Sequence, residues 1–343
     1  MIVQTKKINL LNNISINNSI LYNSFNFDNN YNTNKYFSEI LVISNETNIK
    51  RIYEWLVWHL NIIKFDHIIF IDNNDTSYLK DICNKFNSIE YIHKPGILSQ
   101  SEIYTEYVNK SNSIWVLPID DDEYLYISDK FNNNINNYLS YLQSTQPMYK
   151  YSINWHMMFN NNIIENDVDS FINNFKYTSF ELNGSSFNDS LLLLKTIVNT
   201  KIKHLYINDI NQQIKLNYDN INGSYCSDKN ETSVILGSVH NPISKYNNSF
   251  AHSYNPETNQ FIIGLVASPK LKFDINTDCF IAHYKYTTLA RWKTKINRFK
   301  FVDVFNKEFL LNNYKYDTYK NAYNYLKDKL LIQDNLYTLY NKY

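Results

Sequence analysis

The chain has 343 residues, and its Lys+Arg and Asp+Glu balance at 33 each, so its charge predicts no polyanionic partner and no nucleic acid. A hydrophobic content of 44% allows a sizeable core, but no apolar run approaches the roughly 18–20 residues of a membrane span, and the N-terminus lacks a secretory leader pattern. Cys83, Cys226 and Cys279 are odd in number and far apart, which predicts a reducing, cytoplasmic setting and no zinc site.

Residues 1–36 are Asn-rich and weakly periodic, which predicts a loose arm. EILVIS (39–44) reads as a buried strand. Residues 45–48 offer N-caps to a helix carrying Ile49, Ile52, Leu56, Leu60 and Ile63 at helical spacing. HIIFID (67–72) is a second strand, SYLKDICNKF a short helix and IEYIH (89–93) a third strand. QSEIYTEYVNK (100–110) reads as a helix and IWVLPID (114–120) as a fourth strand. Strands alternating with helices predict a parallel sheet covered on both faces. Near the end, Tyr319, Tyr323, Leu326, Leu330 and Leu331 recur at helical spacing and predict a helical appendage over 300–343. Tyr (30) and Phe (20) are abundant while Gly (5) is scarce along the whole chain, a skew that fits AT-rich codon usage of the kind found in large DNA viruses and some intracellular parasites. A viral origin would place the protein in host cytoplasm or virion.

The fourth strand runs straight into Asp120, Asp121, Asp122 and Glu123. In open parallel sheets, ligands bind beyond the carboxyl ends of the strands. Extended backbone would point Asp120 and Asp122 one way and Asp121 the other. Two convergent carboxylates there suit a hard divalent cation held together with substrate phosphates. The plain alternative is a solvated acidic turn.

Several blocks resemble those of family-92-type glycosyltransferases and their family-2-like relatives, in the expected order. They are NETNIKRIYEWLVWHL, FDHIIFIDNNDTS, WVLPIDDDEYLYI, WHMMF, LLLLKTIVN and IAHYKYTTLARWKTKINRF, spanning about 42–299. The resemblance implies a GT-A type α/β fold, a Rossmann-like mixed sheet flanked by helices. A glycosyltransferase domain would cover 37–299, with a nucleotide half at about 37–127 and an acceptor half at about 128–299. It implies inverting sugar transfer from a nucleotide-sugar, UDP-linked, to a glycan or glycoprotein, with manganese or magnesium. The chain departs from the blocks at Lys64, Asn160 and Phe299, where the family has Gly, at Thr287, where it has Lys, and at Ala290 and Arg291, where it has an acidic pair.

On that resemblance Asp120 and Asp122 match the D-x-D carboxylates, and Glu123 orients the loop. His283, delivered by an apolar strand, is the expected third metal ligand, with His240 as runner-up and a core histidine as the plain alternative. Asn45, Glu46 and Asp72 end strands where a nucleotide would lie, although Asp72 also suits a turn. Gln100 and Tyr104 could face the donor, and Lys195 and Arg298 its phosphate, or each of the latter two could be a plain surface charge. The general base that inversion requires is sought among Asp167, Asp169, Glu181 and Asp189, with Asp189 preferred. Trp155 and His156 could meet the acceptor, or Trp155 could be core. The departures keep open another class, a GT-A-shaped carbohydrate-binding or assembly protein without catalysis.

Overall fold

The computed structural model describes residues 25–27, 35–96, 98, 100–146, 150–178, 194–200, 202–205, 252–257, 260–263, 276–285, 287–299, 324 and 330–343. The first elements are β1 (Phe25–Phe27), β2 (Tyr36–Ser44), α1 (Ile49–Val57), β3 (His67–Asp72), α2 (Lys80–Cys83) and β4 (Ile89–His93). Then come α3 (Gln100–Lys110), β5 (Ser113–Asp120), β6 (Glu123–Ile127), α4 (Ile135–Thr145), β7 (Lys150–Met157), α5 (Phe171–Asn174) and β8 (Tyr177–Thr178). The last are β9 (Leu194–Asn199), β10 (Ile202–Leu205), β11 (His252–Asn255), β12 (Gln260–Ile263), β13 (Cys279–His283), α6 (Leu289–Phe299), β14 (Leu331–Ile332) and α7 (Asn335–Tyr340).

β4, β3, β2 and β5 form the expected parallel sheet, with Ile40 level with Ile68 and Leu117. β9 joins β5 antiparallel, β7 joins β9 antiparallel, and β11 and β13 both run parallel to β7. With β12 and β6 the sheet has ten strands, continuous from β4 through β5, β9 and β7 to β12, with β13 and β6 branching from β7. The fold is α/β, a Rossmann-like mixed sheet flanked by helices, as expected. Strand alternation serves both faces. Ile40, Val42, Phe70 and Leu117 pack with Trp55, Leu56 and Leu139 in one core. Leu41, Ile69, Ile71 and Val116 pack with Ile103, Tyr104 and Val108 of α3 in the other.

Asn48 caps α1, its side chain accepting from Lys50 N at 3.0 Å. The helix then widens into a π-helical turn, Trp58–Ile62. This segment covers one edge of β6, whose other edge pairs with β13. Trp55 Nε1 donates to Glu123 O at 2.8 Å and Trp58 Nε1 to Leu125 O at 2.7 Å. Leu125 N donates to His59 Nε2 at 3.3 Å, so His59 carries its proton on Nδ1 and donates it to Trp55 O at 2.9 Å. Burial pushes the His59 imidazole down to about 3, so it stays neutral. Lys64 follows at φ 66°, the left-handed conformation that a Gly at this position would adopt without strain.

In the 300–343 segment the described pieces are β14, antiparallel to β8, and α7, whose Tyr337 ring lies 3.1 Å under the Lys176 ammonium. Leu331 therefore lies in a strand, paired with Thr178, and not in the expected helical run; Tyr319, Tyr323 and Leu326 lie outside the described residues. No described helix is long and apolar enough to cross a membrane.

Two predictions concern the α1–β6 clamp. Folded His59 takes up a proton only near pH 3, whereas the unfolded residue does so near 6.5. The unfolded state thus binds more protons between those values, and stability falls as pH drops through that window. Urea denaturation should show about 2 kcal/mol less stability at pH 5 than at pH 7 from this residue. His59→Phe, which strands the Leu125 N–H, should cost about 1–3 kcal/mol at pH 7 and remove that part of the pH dependence. Lys64→Gly should stabilise by about 1 kcal/mol, read from the urea midpoint.

Candidate functional site

β5 ends at Asp120 and β6 starts at Glu123, so Asp121 and Asp122 form the reversal between them. The expected alternation of Asp120 and Asp122 on one side does not apply, because the backbone turns instead of continuing extended. The four carboxylates go to different partners. Asp120 stays partly open, its side chain 31% exposed, and its Oδ2 accepts from the fully buried Lys195 Nζ at 3.0 Å. Its Oδ1 accepts from Gln100 Nε2 at 2.6 Å, and Gln100 also donates to the Tyr104 hydroxyl at 2.9 Å. Glu123 points back into the turn. Its Oε2 accepts from Asp120 N at 2.9 Å and stands 3.4 Å from Lys195 Nζ. It organises the loop, as expected.

Lys195 reaches these carboxylates because the β5–β9 ladder stops at Val116–Val198, short of the turn. Burial alone would lower the Lys195 ammonium, but Asp120 and Glu123 outweigh it and raise its pKa. Lys195 is thus a partner of the acidic turn. Its complete burial leaves no face for a donor phosphate, contrary to the expectation of direct donor contact.

Asp121 Oδ2 accepts from Ser44 Oγ at 2.7 Å, tying the turn to the end of β2. Burial raises the Asp121 carboxyl, Arg291 opposes this, and Asp122 adds to it. Asp122 is 3% exposed and lies beside His283. The β6–β13 register sets His283 opposite Glu123, and Tyr284 N donates to Asp122 O at 2.8 Å. His283 Nε2 then stands 3.5 Å from Asp122 Oδ1. The Trp155 ring packs against His283 with centroids 4.2 Å apart. His156 points elsewhere, stacked on Phe280 at 4.2 Å and fully buried, so it cannot meet an acceptor.

Arg291 is the residue that sequence reasoning marked only as a departure. Thr288 Oγ1 accepts from Arg291 N at 3.1 Å, and Leu289 N and Ala290 N donate to Ile164 O and Glu165 O, fixing the start of α6. The Arg291 guanidinium pairs with Glu46, lies 3.4 Å from Asp122 Oδ2 and 3.5 Å from Asp121 Oδ1, and stacks over Phe171 at 4.8 Å. A cation in the first turn of a helix opposes the helix dipole. That anomaly in the sequence was a signal that Arg291 needs buried anions.

Glu46 is enclosed by two arginines. Arg51 donates to it through Nε at 3.1 Å and Nη2 at 2.7 Å, and Thr47 N and Asn48 N add 2.7 and 2.9 Å bonds. Burial opposes its ionisation, yet Arg291 and Arg51 hold the carboxyl down at about 2. Glu46 is therefore consumed by the scaffold and does not face a nucleotide. Asp72 is also consumed: fully buried, it accepts from Asn74 N at 3.0 Å and from the Tyr91 hydroxyl at 2.7 Å. This is the turn role, in place of the expected ribose contact. Asn45 is exposed beside Glu46. Asp167 pairs with Arg51, and Asp169 with Lys50 at 2.5 Å. Glu181, Asp189 and His240 lie outside the described residues, as does the Arg298 side chain.

Asp122 and His283 supply one carboxylate and one imidazole to a common point. Among the described residues no group of three or more His, Cys, Asp or Glu converges as a closed metal cage. Asp122 and His283 are the side chains here that could hold a divalent cation of the magnesium or manganese kind, were waters and substrate phosphates to supply its remaining ligands.

No protein-family model matches the chain, and no curated protein does. Solved structures give distant likenesses. A 4-diphosphocytidyl-2C-methyl-D-erythritol synthase from Anaerococcus prevotii is 11% identical, covering 56% of this chain and 78% of that one, with TM-score 0.27. S. aureus TarS is 11% identical over 81% of this chain and 42% of its own, with TM-score 0.32. The mannosyltransferase Ktr4p of S. cerevisiae is 11% identical over 42% and 50%, with TM-score 0.25. The chain thus spans half or less of the latter two. At such scores the functional reading stands on the site's own geometry.

Glu46→Gln tests the buried cluster. The folded carboxyl titrates near 2 and the unfolded one near 4.5, so its contribution is present above 4.5 and is lost as pH falls towards 2. The variant should lose about 3 kcal/mol at pH 7 by urea denaturation, leaving two guanidiniums short of an anion, and should be flatter than the parent between pH 4.5 and 2.

Proposed function

We propose that the chain is a metal-dependent, inverting glycosyltransferase that moves a sugar from a nucleotide-sugar, UDP-linked, to a glycan or glycoprotein acceptor. One observation carries this reading: Asp122 Oδ1 and His283 Nε2 stand 3.5 Å apart beyond the carboxyl ends of a Rossmann-like sheet. That is where open α/β sheets bind ligands. Asp122 and His283 would hold the cation, which when bound supplies positive charge beside a departing diphosphate.

The other residues have supporting roles. Asp120, partly exposed and oriented by Gln100 and Lys195, offers a carboxylate edge to ribose or sugar hydroxyls. Asn45 lies exposed at the end of β2, where a nucleotide could be hydrogen-bonded. Trp155, only 5% exposed, supports the His283 ring more than it stacks on a sugar. Asp167 and Asp169 are committed to ion pairs with Arg51 and Lys50, which leaves Glu181 and Asp189, and of these Asp189 remains the preferred general base for deprotonating an acceptor hydroxyl.

A second reading is a GT-A-shaped carbohydrate-binding protein without catalysis. It is favoured by Arg291, a resident cation already pairing with the acidic turn.

Assaying nucleoside diphosphate release across a donor panel with manganese separates the two. Asp122→Asn and His283→Ala should each lower release by at least about 10²-fold when assayed well below their own melting temperatures, which fall because Asp122 pairs with Arg291 and His283 packs on Trp155. EDTA should abolish release and added manganese restore it. UDP with manganese at about 100 times its Kd should add about 2.7 kcal/mol of stability in a thermal shift. Release that is equal in Asp122→Asn and parent would reject the assignment.

A further inference from the structure

Arg291 does more than join two loops. The residue is 8% exposed and its guanidinium is held in place: Glu46 pairs with it, Phe171 stacks on it, and a capped helix start fixes its backbone. From there it faces Asp121 and Asp122 together, at 3.5 and 3.4 Å. Asp122 is thereby split. Its Oδ2 lies toward Arg291 and its Oδ1 toward His283. A divalent ion placed on Oδ1 would meet a fixed guanidinium across the same carboxylate, and like charges held that closely in a buried site repel strongly. An anion arriving with the ion offsets that repulsion.

We propose that Arg291 makes cation binding at the acidic turn conditional on a diphosphate: it holds a bare divalent ion off Asp122 and admits the ion in company with a nucleoside diphosphate. This rests on the cation reading of Asp122 and His283. Arg291 acts as a positioning residue, through Asp122 and through charge, and touches no reacting atom.

The test is a Mn²⁺ titration of the full chain, read from the EPR signal of the free ion, with and without UDP. The parent should bind Mn²⁺ alone weakly and at least ten-fold more tightly with UDP. Arg291→Gln should bind Mn²⁺ alone at least ten-fold more tightly than the parent and lose most of the UDP effect. Arg291→Lys keeps the charge and should keep the parental dependence. Equal or weaker Mn²⁺ binding by Arg291→Gln overturns the proposal, including the case in which its melting temperature alone falls. Should Arg291→Gln not fold, the absence of a UDP effect in the parent overturns it equally. Failure of the underlying reading looks different. Tight Mn²⁺ binding that survives His283→Ala in the Arg291→Gln background places the ion elsewhere, and no Mn²⁺ binding by the parent even with UDP rejects the cation reading itself.

Discussion

The site depends on buried charge that has to be matched. Glu46, Asp121 and Asp122 come from two separate loops at one end of the sheet, and each is nearly or wholly shut from water. Unpaired, such groups would cost several kcal/mol apiece. Arg291 and Arg51 answer them, and Arg291 alone touches all three carboxylates. The loop after β2, the β5–β6 turn and the start of α6 must therefore form together. Buried ion pairs of this kind are poor sources of net stability but strong constraints on geometry, because displacing one member strands the others.

The stretch of four consecutive acids divides by partner. Glu123 and Asp121 serve the backbone: one accepts the Asp120 N–H and the other accepts from Ser44 at the end of β2. Asp120 lies partly exposed beside Gln100 and Lys195, and Asp122 lies buried between Arg291 and His283. Lys195 on one side and Arg291 on the other let this density of negative charge exist in a low-dielectric place.

β6 is the mechanical link between core and site. It carries the acidic turn at its start, it pairs with β13 and so sets His283 beside Asp122, and its free edge is closed by Trp55, Trp58 and His59. A helix with three side chains here does the hydrogen bonding of a neighbouring strand. The indole and imidazole groups satisfy backbone atoms that would otherwise be buried without partners. The π-helical turn at Trp58–Ile62 lies within this clamp.

The sequence by itself determined the alternation from β2 to β5, the position of the acids at the end of β5, an N-cap within residues 45–48 and the strand that brings His283. Each is set by local periodicity or by residues a few positions apart, which one stretch of chain expresses alone. Only the tertiary structure decided which carboxylates stay available. Glu46 and Asp72 sit at strand ends where a ligand would lie, yet Arg51 with Arg291, and Asn74 with Tyr91, consume them. The parity that would align Asp120 with Asp122 fails because the chain reverses between them, and Arg291 arrives from 169 positions beyond Asp122. Pairing of buried charge at that separation depends on the register of β13 against β6 and on where α6 begins. No local pattern encodes either, because both are fixed only when the distant segments pack.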